Sequence, residues 1–396
     1  MNILFLAHRI PFPPNKGDKI RSFNMIRHLS QTHHVYLGTI LDEKPDAEYL
    51  KKLKVYCKDI FADYFHKKTN LLLNVFEKKP FSVANFYSAA LQNYVDRILR
   101  SKKIDVIICF SSSMAEYVFR NPLFKQNKLN HIKLIMDYID LDSDKWLQYS
   151  RFTQFPLNLI YSEEQRRLFE YEKKINQTFH NSIFVSHREA DLFKRIFPQA
   201  KNVSVIPNGV DTDFFQARPK SPGTHPPNLL FTGVMDYFAN YDGVKWFCKQ
   251  IFGKIKKEFP QVRFYIVGMR PLLRVKRLAR IDGVHVTGYV EDIREYYWNA
   301  DVCVIPLRIA KGLQNKLLEA MATGNAVVAT SNAWNGIICK EDEDILLADS
   351  ASRFSEQVIR LLNNKTRRQQ IAQNAVRTIQ EFYSWDKNLK ELDRLL

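Results

Sequence analysis

Residues 306–329 read PLRIAKGLQNKLLEAMATGNAVVA. They follow a short apolar run and predict a glycine-containing loop, then a helix near 313–322, then a second buried strand near 326–329. A strand, a helix and a second strand in this order form the βαβ unit of a parallel sheet. The stretch therefore predicts an open α/β sheet, in which ligands bind beyond the carboxyl ends of the strands.

The start of this predicted helix is suited to an anion. Its free backbone N–H groups and the positive end of its dipole attract negative charge. Arg308 and Lys316 add positive charge for a diphosphate, and Glu319, one turn further along the same face, can accept hydrogen bonds from ribose hydroxyls. A Lys–Glu pair on the surface of an ordinary amphipathic helix explains the same spacing as well.

The same alternation of apolar runs and amphipathic helices extends over the whole chain. In the N-terminal half it predicts strands near 2–7, 34–40, 104–109, 132–136, 182–185 and 203–206, and helices near 18–31, 163–179 and 188–195. The pattern restarts with strands near 229–233, 262–267, 284–287 and 301–305 and a helix near 242–257. Between the two halves lies a Pro-rich stretch that cannot sustain a helix or a central strand. We therefore predict an α/β protein with two Rossmann-like domains, at 1–215 and 228–380, joined by a linker at 216–227.

Composition indicates a folded protein of a reducing compartment. A chain of 396 residues is too long for one ordinary core. Its five cysteines are odd in number and far apart, and they contain no C-x-x-C pair. The first apolar run is short and lacks a basic flank, so it reads as a strand and not as a signal peptide. No uncharged apolar stretch approaches the length of a membrane span. We expect a cytoplasmic protein, with peripheral contact to the inner face of the membrane.

The net charge of +17 suits an anionic partner. Three classes of partner fit this charge: nucleic acid, an anionic membrane leaflet and a phosphorylated substrate. Residues 51–79 interleave lysines with aromatic and leucine side chains, as a segment lying on an acidic membrane requires. A solvated helical face over ordinary core explains the same mixture. No recognised nucleic-acid motif interleaves with the charge, so we expect no nucleic-acid partner.

Several motifs of the C-terminal half resemble those of family 4 retaining glycosyltransferases. Residues 318–329, LEAMATGNAVVA, resemble the donor-site signature of that family, and residues 205–215, VIPNGVDTDFF, are similar to its interdomain segment. Residues 286–290, VTGYV, match a strand end, and residues 383–386, YSWD, resemble the bend before a last helix. The resemblance implies the GT-B fold with an interdomain cleft, and a C-terminal helix at 381–396 that returns to the N-terminal domain.

The resemblance also implies where a nucleotide-diphosphate sugar binds. Glu319 is expected to bind the donor ribose, the loop at Gly288, Tyr289 and Val290 the base, and the helix beginning near Gly312 the diphosphate. The full set of expected donor-site residues is Gly17, Gly233, Gly288, Tyr289, Val290, Arg308, Lys311, Gly312, Gln314, Asn315, Lys316 and Glu319.

Two departures from the family pattern concern the donor. The family often carries a second glutamate eight residues before Glu319, where this chain has Lys311. The Arg and Lys that commonly follow the first strand of the second domain are missing after Gly233. The chain resembles a subgroup with a Gly-x-x-x-Lys arrangement, in which Lys316 would replace the lost phosphate contacts.

The loop between the first strand and the first helix, residues 8–21, reads HRIPFPPNKGDKIR. It is similar to a subgroup found beside exopolysaccharide and exosortase (PEP-CTERM) systems. Prolines fix the path of this loop, and Gly17 allows close approach of a ligand. The candidate acceptor or phosphate residues in it are Arg9, Lys16, Asp18, Lys19 and Arg21. His8 is either a residue of the reacting centre or a hydrogen-bonded core histidine.

Asp137 and Asp140 follow the strand near 132–136, where many relatives place a histidine. They are the candidates for orienting the acceptor hydroxyl or accepting its proton. Retention in this family is usually explained by front-face attack assisted by the donor phosphate, so a strong protein base is not required. The aspartates at 140, 142 and 144 lack the glycine and glutamate of a calcium loop, and we expect no metal and no cofactor.

Together these features predict a retaining glycosyltransferase. It would transfer a hexose from a nucleotide-diphosphate sugar to a lipid-linked or polysaccharide acceptor. The alternative is a GT-B scaffold that binds a nucleotide sugar or a glycan without turnover. A dehydrogenase is disfavoured because the sequence contains no G-x-G-x-x-G.

Overall fold

The computed structural model describes residues 1–41, 46–64, 79–218, 226–310 and 312–396. The chain forms two compact units, the first of Met1–Pro207 with Leu389–Leu396 and the second of Asn208–Asn388. Each unit contains one parallel sheet. We call them the N-terminal unit and the C-terminal unit.

The N-terminal unit contains a seven-stranded sheet in the order β3-β2-β1-β4-β5-β6-β7. Its strands are β1 (Asn2–Ala7), β2 (His34–Leu41), β3 (Cys57–Tyr64), β4 (Val106–Phe110), β5 (Lys133–Ile139), β6 (Asn181–Phe184) and β7 (Val203–Val205). Its helices are α1 (Gly17–Leu29), α2 (Asp46–Leu53), α3 (Phe81–Asn85), α4 (Ala89–Ser101), α5 (Ala115–Phe119), α6 (Pro122–Lys125), α7 (Asp142–Phe152), α8 (Leu157–Thr178) and α9 (His187–Ile196).

The C-terminal unit contains a six-stranded sheet in the order β10-β9-β8-β11-β12-β13. Its strands are β8 (Asn228–Thr232), β9 (Arg263–Val267), β10 (Val284–Gly288), β11 (Val302–Ile305), β12 (Ala326–Ala329) and β13 (Leu346–Leu347). Its helices are α10 (Phe238–Trp246), α11 (Phe252–Glu258), α12 (Leu273–Lys276), α13 (Arg294–Asn299), α14 (Asn315–Ala322), α15 (Ser331–Trp334), α16 (Ala351–Asn363), α17 (Lys365–Phe382) and the beginning of α18 (Trp385–Arg394).

Central strands of both sheets are buried on both faces, which explains their continuous apolar sequences. Every residue of β4, β11 and β12 is buried. Parallel sheets require this because helices cover both faces. In each sheet the strand order reverses next to the first strand of that unit. The reversal lies between β1 and β4 in the N-terminal unit and between β8 and β11 in the C-terminal unit. Such reversals open a crevice at the carboxyl ends of the strands, where ligands of α/β proteins bind.

The lysine-rich segment 51–79, for which the sequence predicted membrane contact or a solvated helical face, contains a strand, and its contact with a membrane stays a prediction. Residues 57–64 form β3, which pairs with β2 at the edge of the sheet. Residues 57–64 are therefore an edge strand, and a lysine such as Lys58 is common on such an edge because it discourages pairing with other chains. Residues 65–78 lie outside the described residues.

The boundary between the units also differs from the prediction. The N-terminal unit ends at Pro207, whereas the sequence predicted a domain end at 215. The residues that follow bind the C-terminal unit instead: the N–H of Val210 donates to the carbonyl of Tyr383 at 2.8 Å. Trp298 Nε1 donates to the carbonyl of Gln216 at 2.9 Å. Residues 219–225 of the predicted linker lie outside the described residues.

Two helices extend beyond their predicted bounds. Helix α8 begins at Leu157, although the charged pattern predicted a start near 163, because its first turn is apolar and carries no charge pattern. The helix predicted at 242–257 begins at Phe238 and contains a π-helical turn at Phe247–Ile251. Within the described residues, no helix combines the length and the apolar character that crossing a bilayer requires.

All five cysteines are free, and four are buried while Cys339 is half-buried. Burial raises the pKa of the Cys57, Cys248 and Cys339 thiols to about 12. Each thiol is therefore un-ionised at neutral pH.

Candidate functional site

The carboxyl edge of the C-terminal sheet carries a half-buried lysine and a half-buried glutamate on one helix. Helix α14 follows β11, the strand beside β8 at the reversal of strand order. Lys316 is the second residue of α14 and Glu319 lies three residues later. Residues at this spacing share one helix face, so both side chains lie on the same side of α14.

The Lys316 ammonium is held by amide oxygens. Lys316 Nζ donates to Asn240 Oδ1 at 3.0 Å and to Gln314 Oε1 at 3.4 Å. Among the described residues, no carboxylate forms an ion pair with it. Burial lowers the pKa of Lys316 to about 8, although the charge of Glu319 acts in the opposite direction. An ammonium held by neutral oxygens keeps its charge available for an anionic ligand.

Glu319 is the end of a short chain of hydrogen bonds. Tyr297 OH donates to Glu319 Oε2 at 3.0 Å, and Thr232 Oγ1 lies 2.8 Å from the same hydroxyl. Burial raises the pKa of Glu319, while the Tyr297 hydrogen bond and the Lys316 charge lower it in part. These contacts fix one oxygen of the carboxylate. The other oxygen makes no hydrogen bond to any described residue and can accept one from a ligand.

Three glycines lie where β8, β9 and β10 end. A Cβ on Gly233 would lie 2.8 Å from Asn240 Nδ2 and 3.2 Å from Lys316 Cε. A Cβ on Gly268 would lie 1.8 Å from the carbonyl oxygen of Gly233. Gly288 has a φ of +77°, which favours glycine. A side chain at Gly268 would therefore collide with backbone, and a side chain at Gly233 would crowd Asn240 and Lys316, the lysine that the sequence predicted for the phosphate.

Arg308 is engaged away from Lys316. Its guanidinium makes two hydrogen bonds to Asp242, at 2.9 and 2.5 Å, and its side chain is about half exposed. The carbonyl of Arg308 accepts from Asn332. In this structure Arg308 is therefore neutralised, and it would reach a diphosphate only by leaving Asp242.

The remaining predicted donor residues surround the start of α14 or follow β10. Gln314 precedes the helix as its N-cap, and Gly312 adopts a φ of +60°. Asn315 Oδ1 accepts from Asn208 Nδ2 at 3.4 Å. Tyr289 is 72% exposed and Val290 packs on the core of the unit, while Lys311 lies outside the described residues.

In the N-terminal unit, His8 follows β1 and is buried. Its ring contacts Phe110 and, edge to face, Phe86. His8 Nε2 lies 3.4 Å from Asp18 Oδ2, while Nδ1 has no hydrogen-bond partner among the described residues. Arg9 also pairs with Asp18, at 3.2 Å. Burial alone would raise the pKa of Asp18, but the hydrogen bond and charge of His8 and the charge of Arg9 outweigh it, and the pKa is lowered.

Arg21 and Asp137, two of the predicted site residues, pair with each other inside the N-terminal unit. Both side chains are fully buried, and Arg21 Nη2 lies 2.7 Å from Asp137 Oδ2 while its Nε contacts both carboxylate oxygens. Arg21 Nη1 donates to the carbonyl of Ile206 at 2.9 Å. A carboxylate occupied in this way is not available to an acceptor hydroxyl. The pair instead connects α1, β5 and the end of β7.

The other residues of the loop differ in exposure. Lys19 is buried and Lys16 is the half-buried N-cap of α1, while Gly17 is exposed as its first residue. Gly17 belongs to the N-terminal unit, whereas the other predicted donor residues that the structure describes belong to the C-terminal unit.

Backbone strain marks the carboxyl ends of β4 and β5. Ser111 has a φ of +80° and Ile139 a φ of +66°, which is rare for a β-branched residue. The N–H of Ser111 donates to the carbonyl of Asp137, and the N–H of Ile139 to its carboxylate. Strained residues of this kind cluster at functional sites. Asp140, directly after Ile139, is half-buried and remains a candidate for contact with an acceptor.

Sequence reasoning missed several polar residues of these sites. Asn240, Tyr297 and Thr232 hold Lys316 and Glu319, and Asp242 holds Arg308. Each lies on a different element from its partner, so no local spacing could reveal it. Among the described residues, no three His, Cys, Asp or Glu side chains are grouped to hold a metal ion.

This geometry occurs in a fold shared with known enzymes. Residues 226–364 match the glycosyl transferases group 1 family. An uncharacterized glycosyltransferase of Methanocaldococcus jannaschii is 22% identical over 306 residues, which cover 72% of each chain. The chain is a glycosyltransferase. An uncharacterized 44.6 kDa protein in the cps region of Klebsiella pneumoniae is 23% identical to this glycosyltransferase over 401 residues, covering 97% of each chain.

Solved structures show that its two parallel-sheet units form the GT-B fold. Sucrose-phosphate synthase from Thermosynechococcus elongatus superposes with a TM-score of 0.69 at 16% identity, covering 100% of this chain and 98% of the other. Anabaena HepE in complex with UDP and glucose superposes with a TM-score of 0.69 at 14% identity, with the same coverage. Both similarities cover the two units, so the predicted fold class is confirmed.

Proposed function

We propose that this glycosyltransferase transfers a hexose, with retention of configuration, from a nucleoside-diphosphate sugar to a lipid-linked or polysaccharide acceptor. The observation that carries the proposal is the pair of Lys316 and Glu319 on one face of α14. An ammonium held by neutral oxygens and a carboxylate with one open oxygen are complementary to a diphosphate and a ribose. Backbone N–H groups at the start of the same helix add to the anion site.

The donor residues have distinct roles in this proposal. Lys316 neutralises the diphosphate as the leaving group departs, which lowers the barrier to sugar transfer. The open oxygen of Glu319 accepts hydrogen bonds from the ribose, and Tyr297 holds the carboxylate in place. In this proposal Tyr289, which is exposed directly after β10, stacks on the base. UDP is the first nucleotide to test because the similar HepE structure contains UDP and glucose.

Retention by front-face attack is compatible with the pairing of Asp137 and Arg21 in the N-terminal unit. In that mechanism the donor phosphate accepts the proton of the acceptor hydroxyl, so no ionised protein base has to stand beside the sugar. Asp137, one of the two aspartates predicted as candidates for such a base, is paired with Arg21. His8 and Asp140 then orient the acceptor. The acceptor class rests on the resemblance to exopolysaccharide systems, and the relative in a cps region supports it. We place the reaction at the inner face of the membrane, with no metal required.

A thermal-shift screen tests the donor site. UDP, GDP, ADP and CMP and their sugars are added to the wild type, because a ligand that binds only the folded state raises its melting temperature. We expect one diphosphate to stabilise the wild type and to lose this effect in Glu319→Ala. The matched control is Glu356→Ala, which removes an exposed glutamate of α16 and should keep the shift. Absence of a shift with every nucleotide contradicts the proposal.

Turnover is tested separately. Release of the nucleoside diphosphate from the stabilising sugar nucleotide is followed with membrane extract as the source of acceptor, and the anomeric configuration of the product is read by NMR. A product of inverted configuration contradicts retention.

A second function, binding of the donor without turnover, is favoured by Lys311 in place of the family glutamate. Nucleotide binding with no transfer to any extract would establish it. If the wild type binds the nucleotide without transferring the sugar, Lys311→Glu shows whether this residue is the reason. Sugar transfer by Lys311→Glu would assign the missing activity of the wild type to Lys311.

A further inference from the structure

Two consecutive helices of the N-terminal unit, α7 and α8, pack side by side and expose apolar side chains where they join. We call residues 149–160 the hairpin tip. Six of the seven residues in 154–160 are exposed. Phe155 is 77% exposed and Leu159 59%, and Tyr149, Leu157 and Ile160 are also among the exposed large hydrophobic residues. So many apolar side chains together are unusual on a surface that only water covers.

The charge around the tip is sparse and positive. Between residues 146 and 162 the only charged side chain is Arg151, which is exposed. The nearest acidic residues on either side are engaged: Asp144 accepts from Gln148, and Glu163 pairs with Arg166 and Arg167. The whole chain carries a net charge of +17. The tip is therefore an apolar surface without negative charge on a cationic protein.

Aromatic residues lie at the base of the tip. Trp146 and Tyr161 face each other across the two helices with ring centroids 5.2 Å apart, and Tyr149 lies 5.8 Å from Trp146 and 6.2 Å from Tyr161. Trp and Tyr prefer the boundary between headgroups and acyl chains, since one end of each is apolar and the other polar. These three aromatic residues flank Phe155 and Leu159 in the sequence, on the two helices that the tip joins, as an interfacial membrane contact requires.

We propose that the hairpin tip inserts into the headgroup and acyl boundary of an anionic lipid bilayer. Insertion removes apolar side chains from water, and the cationic protein is attracted to lipid phosphates. The inference goes beyond sugar transfer and can be measured without any donor. It also differs from the membrane contact predicted for residues 51–79, because the tip belongs to other helices.

Vesicle flotation at 150 mM salt tests the proposal. Vesicles of equal parts phosphatidylglycerol and phosphatidylcholine are compared with vesicles of phosphatidylcholine alone. We expect the wild type to bind the anionic vesicles, and Phe155→Ser/Leu159→Ser to reduce the partition coefficient at least tenfold. Because both side chains are exposed, the variant should keep its melting temperature.

Two matched controls locate the effect. Val55→Ser removes another highly exposed apolar side chain of the N-terminal unit, inside the segment 51–79, and Leu273→Ser removes one from the C-terminal unit. Both should leave binding unchanged. Equal binding by the tip variant and the wild type overturns the proposal, as does a wild type that binds no vesicle.

The remaining occupant of such a surface is a second copy of the chain. Sedimentation velocity without lipid distinguishes this case. A wild-type dimer that dissociates in Phe155→Ser/Leu159→Ser would assign the tip to self-association and overturn the membrane proposal. A monomer in both proteins supports it.

Discussion

Burial removes water from around the Lys316 ammonium and disfavours its charged form. The lysine therefore loses its proton at a pH closer to neutral than an exposed lysine does. Its pKa is lowered to about 8, so the ammonium is fully present below that pH and is lost above it. Binding of a diphosphate raises this pKa again because the anion favours the charged lysine. The ammonium makes the affinity of the donor site depend on pH.

We expect the affinity for the nucleoside diphosphate to be constant below pH 8 and to fall by up to about tenfold per pH unit above it, because binding then takes up a proton. Titration calorimetry between pH 6.5 and 9.5 measures this profile. Lys316→Met should bind more weakly and show no step near pH 8. A step that persists in Lys316→Met would assign the titration to another group.

The lowered pKa of Lys316 also makes the free energy of unfolding of the unliganded protein depend on pH, in the direction opposite to that of the affinity. Between pH 8 and the ordinary lysine value of 10.5, the unfolded chain binds a proton that the folded lysine has lost. The contribution of Lys316 to the free energy of unfolding therefore rises with pH in this window.

Arg21 and Asp137 form a buried ion pair whose two members depend on each other. Asp137→Asn leaves a buried guanidinium without its counter-charge, and we expect it to lower the free energy of unfolding by about 3–5 kcal/mol. Arg21→Met/Asp137→Leu, which removes both charges, should recover most of this loss. Urea unfolding followed by circular dichroism measures both variants. If the two destabilise the protein equally, the ion pair is not the cause.

These residues also show which part of the site a sequence can predict. Lys316 and Glu319 lie three residues apart, so their shared helix face follows from local spacing. Arg21 and Asp137 are 116 residues apart, and only the pairing of their elements brings them together. Local sequence places Arg21 in a Lys- and Arg-rich loop but cannot reveal that its partner is a carboxylate on a distant strand.

Strand ends in the C-terminal unit depend on close approach of backbone. Gly268→Ala would place a Cβ 1.8 Å from the carbonyl oxygen of Gly233, at a φ of +148°. We expect a loss of at least about 1–3 kcal/mol from strain alone. In contrast, Gly253 in α11 has no atom within 4 Å of a Cβ, and Gly253→Ala should stabilise the protein by about 0.5–1 kcal/mol. Thermal unfolding of both variants compares them, and a destabilised Gly253→Ala would contradict this interpretation.

Elements with continuous apolar sequences were predicted well, and β3 was missed. Buried parallel strands such as β1 and β11 show uninterrupted apolar runs, which identify them without knowledge of their neighbours. Strand β3 lies at the sheet edge and mixes one lysine and two aspartates with aromatic residues, a composition that also fits a surface helix. Only its pairing with β2 identifies it as a strand.

The last eight residues of the chain pack as part of the N-terminal unit. Leu389–Leu396 are part of the N-terminal unit, where Leu392 is fully buried and Asp393 lies 2.9 Å from His28. The sequence suggested this return only through the resemblance of residues 383–386 to a known bend. No composition or periodicity of the last helix could specify which unit it joins.

Leu392→Ala should therefore weaken the N-terminal unit, by about 2–5 kcal/mol for a buried leucine. Native-state hydrogen exchange measures the effect, with faster exchange in β1 and unchanged exchange in β8. The matched variant is Leu361→Ala, equally buried in α16 of the C-terminal unit, which should give the reverse pattern. Equal acceleration in both sheets after Leu392→Ala would show that the units unfold as one.

Because its native thiols are buried or half-buried, the protein is suited to labelling at an introduced cysteine. Because four of the five cysteines are buried and Cys339 is half-buried with a raised pKa, alkylating dyes should react with them slowly at neutral pH. A cysteine introduced by Phe155→Cys would be the one readily modified, without prior removal of the others. A polarity-sensitive fluorophore attached there would report in real time whether its surroundings are water or hydrocarbon.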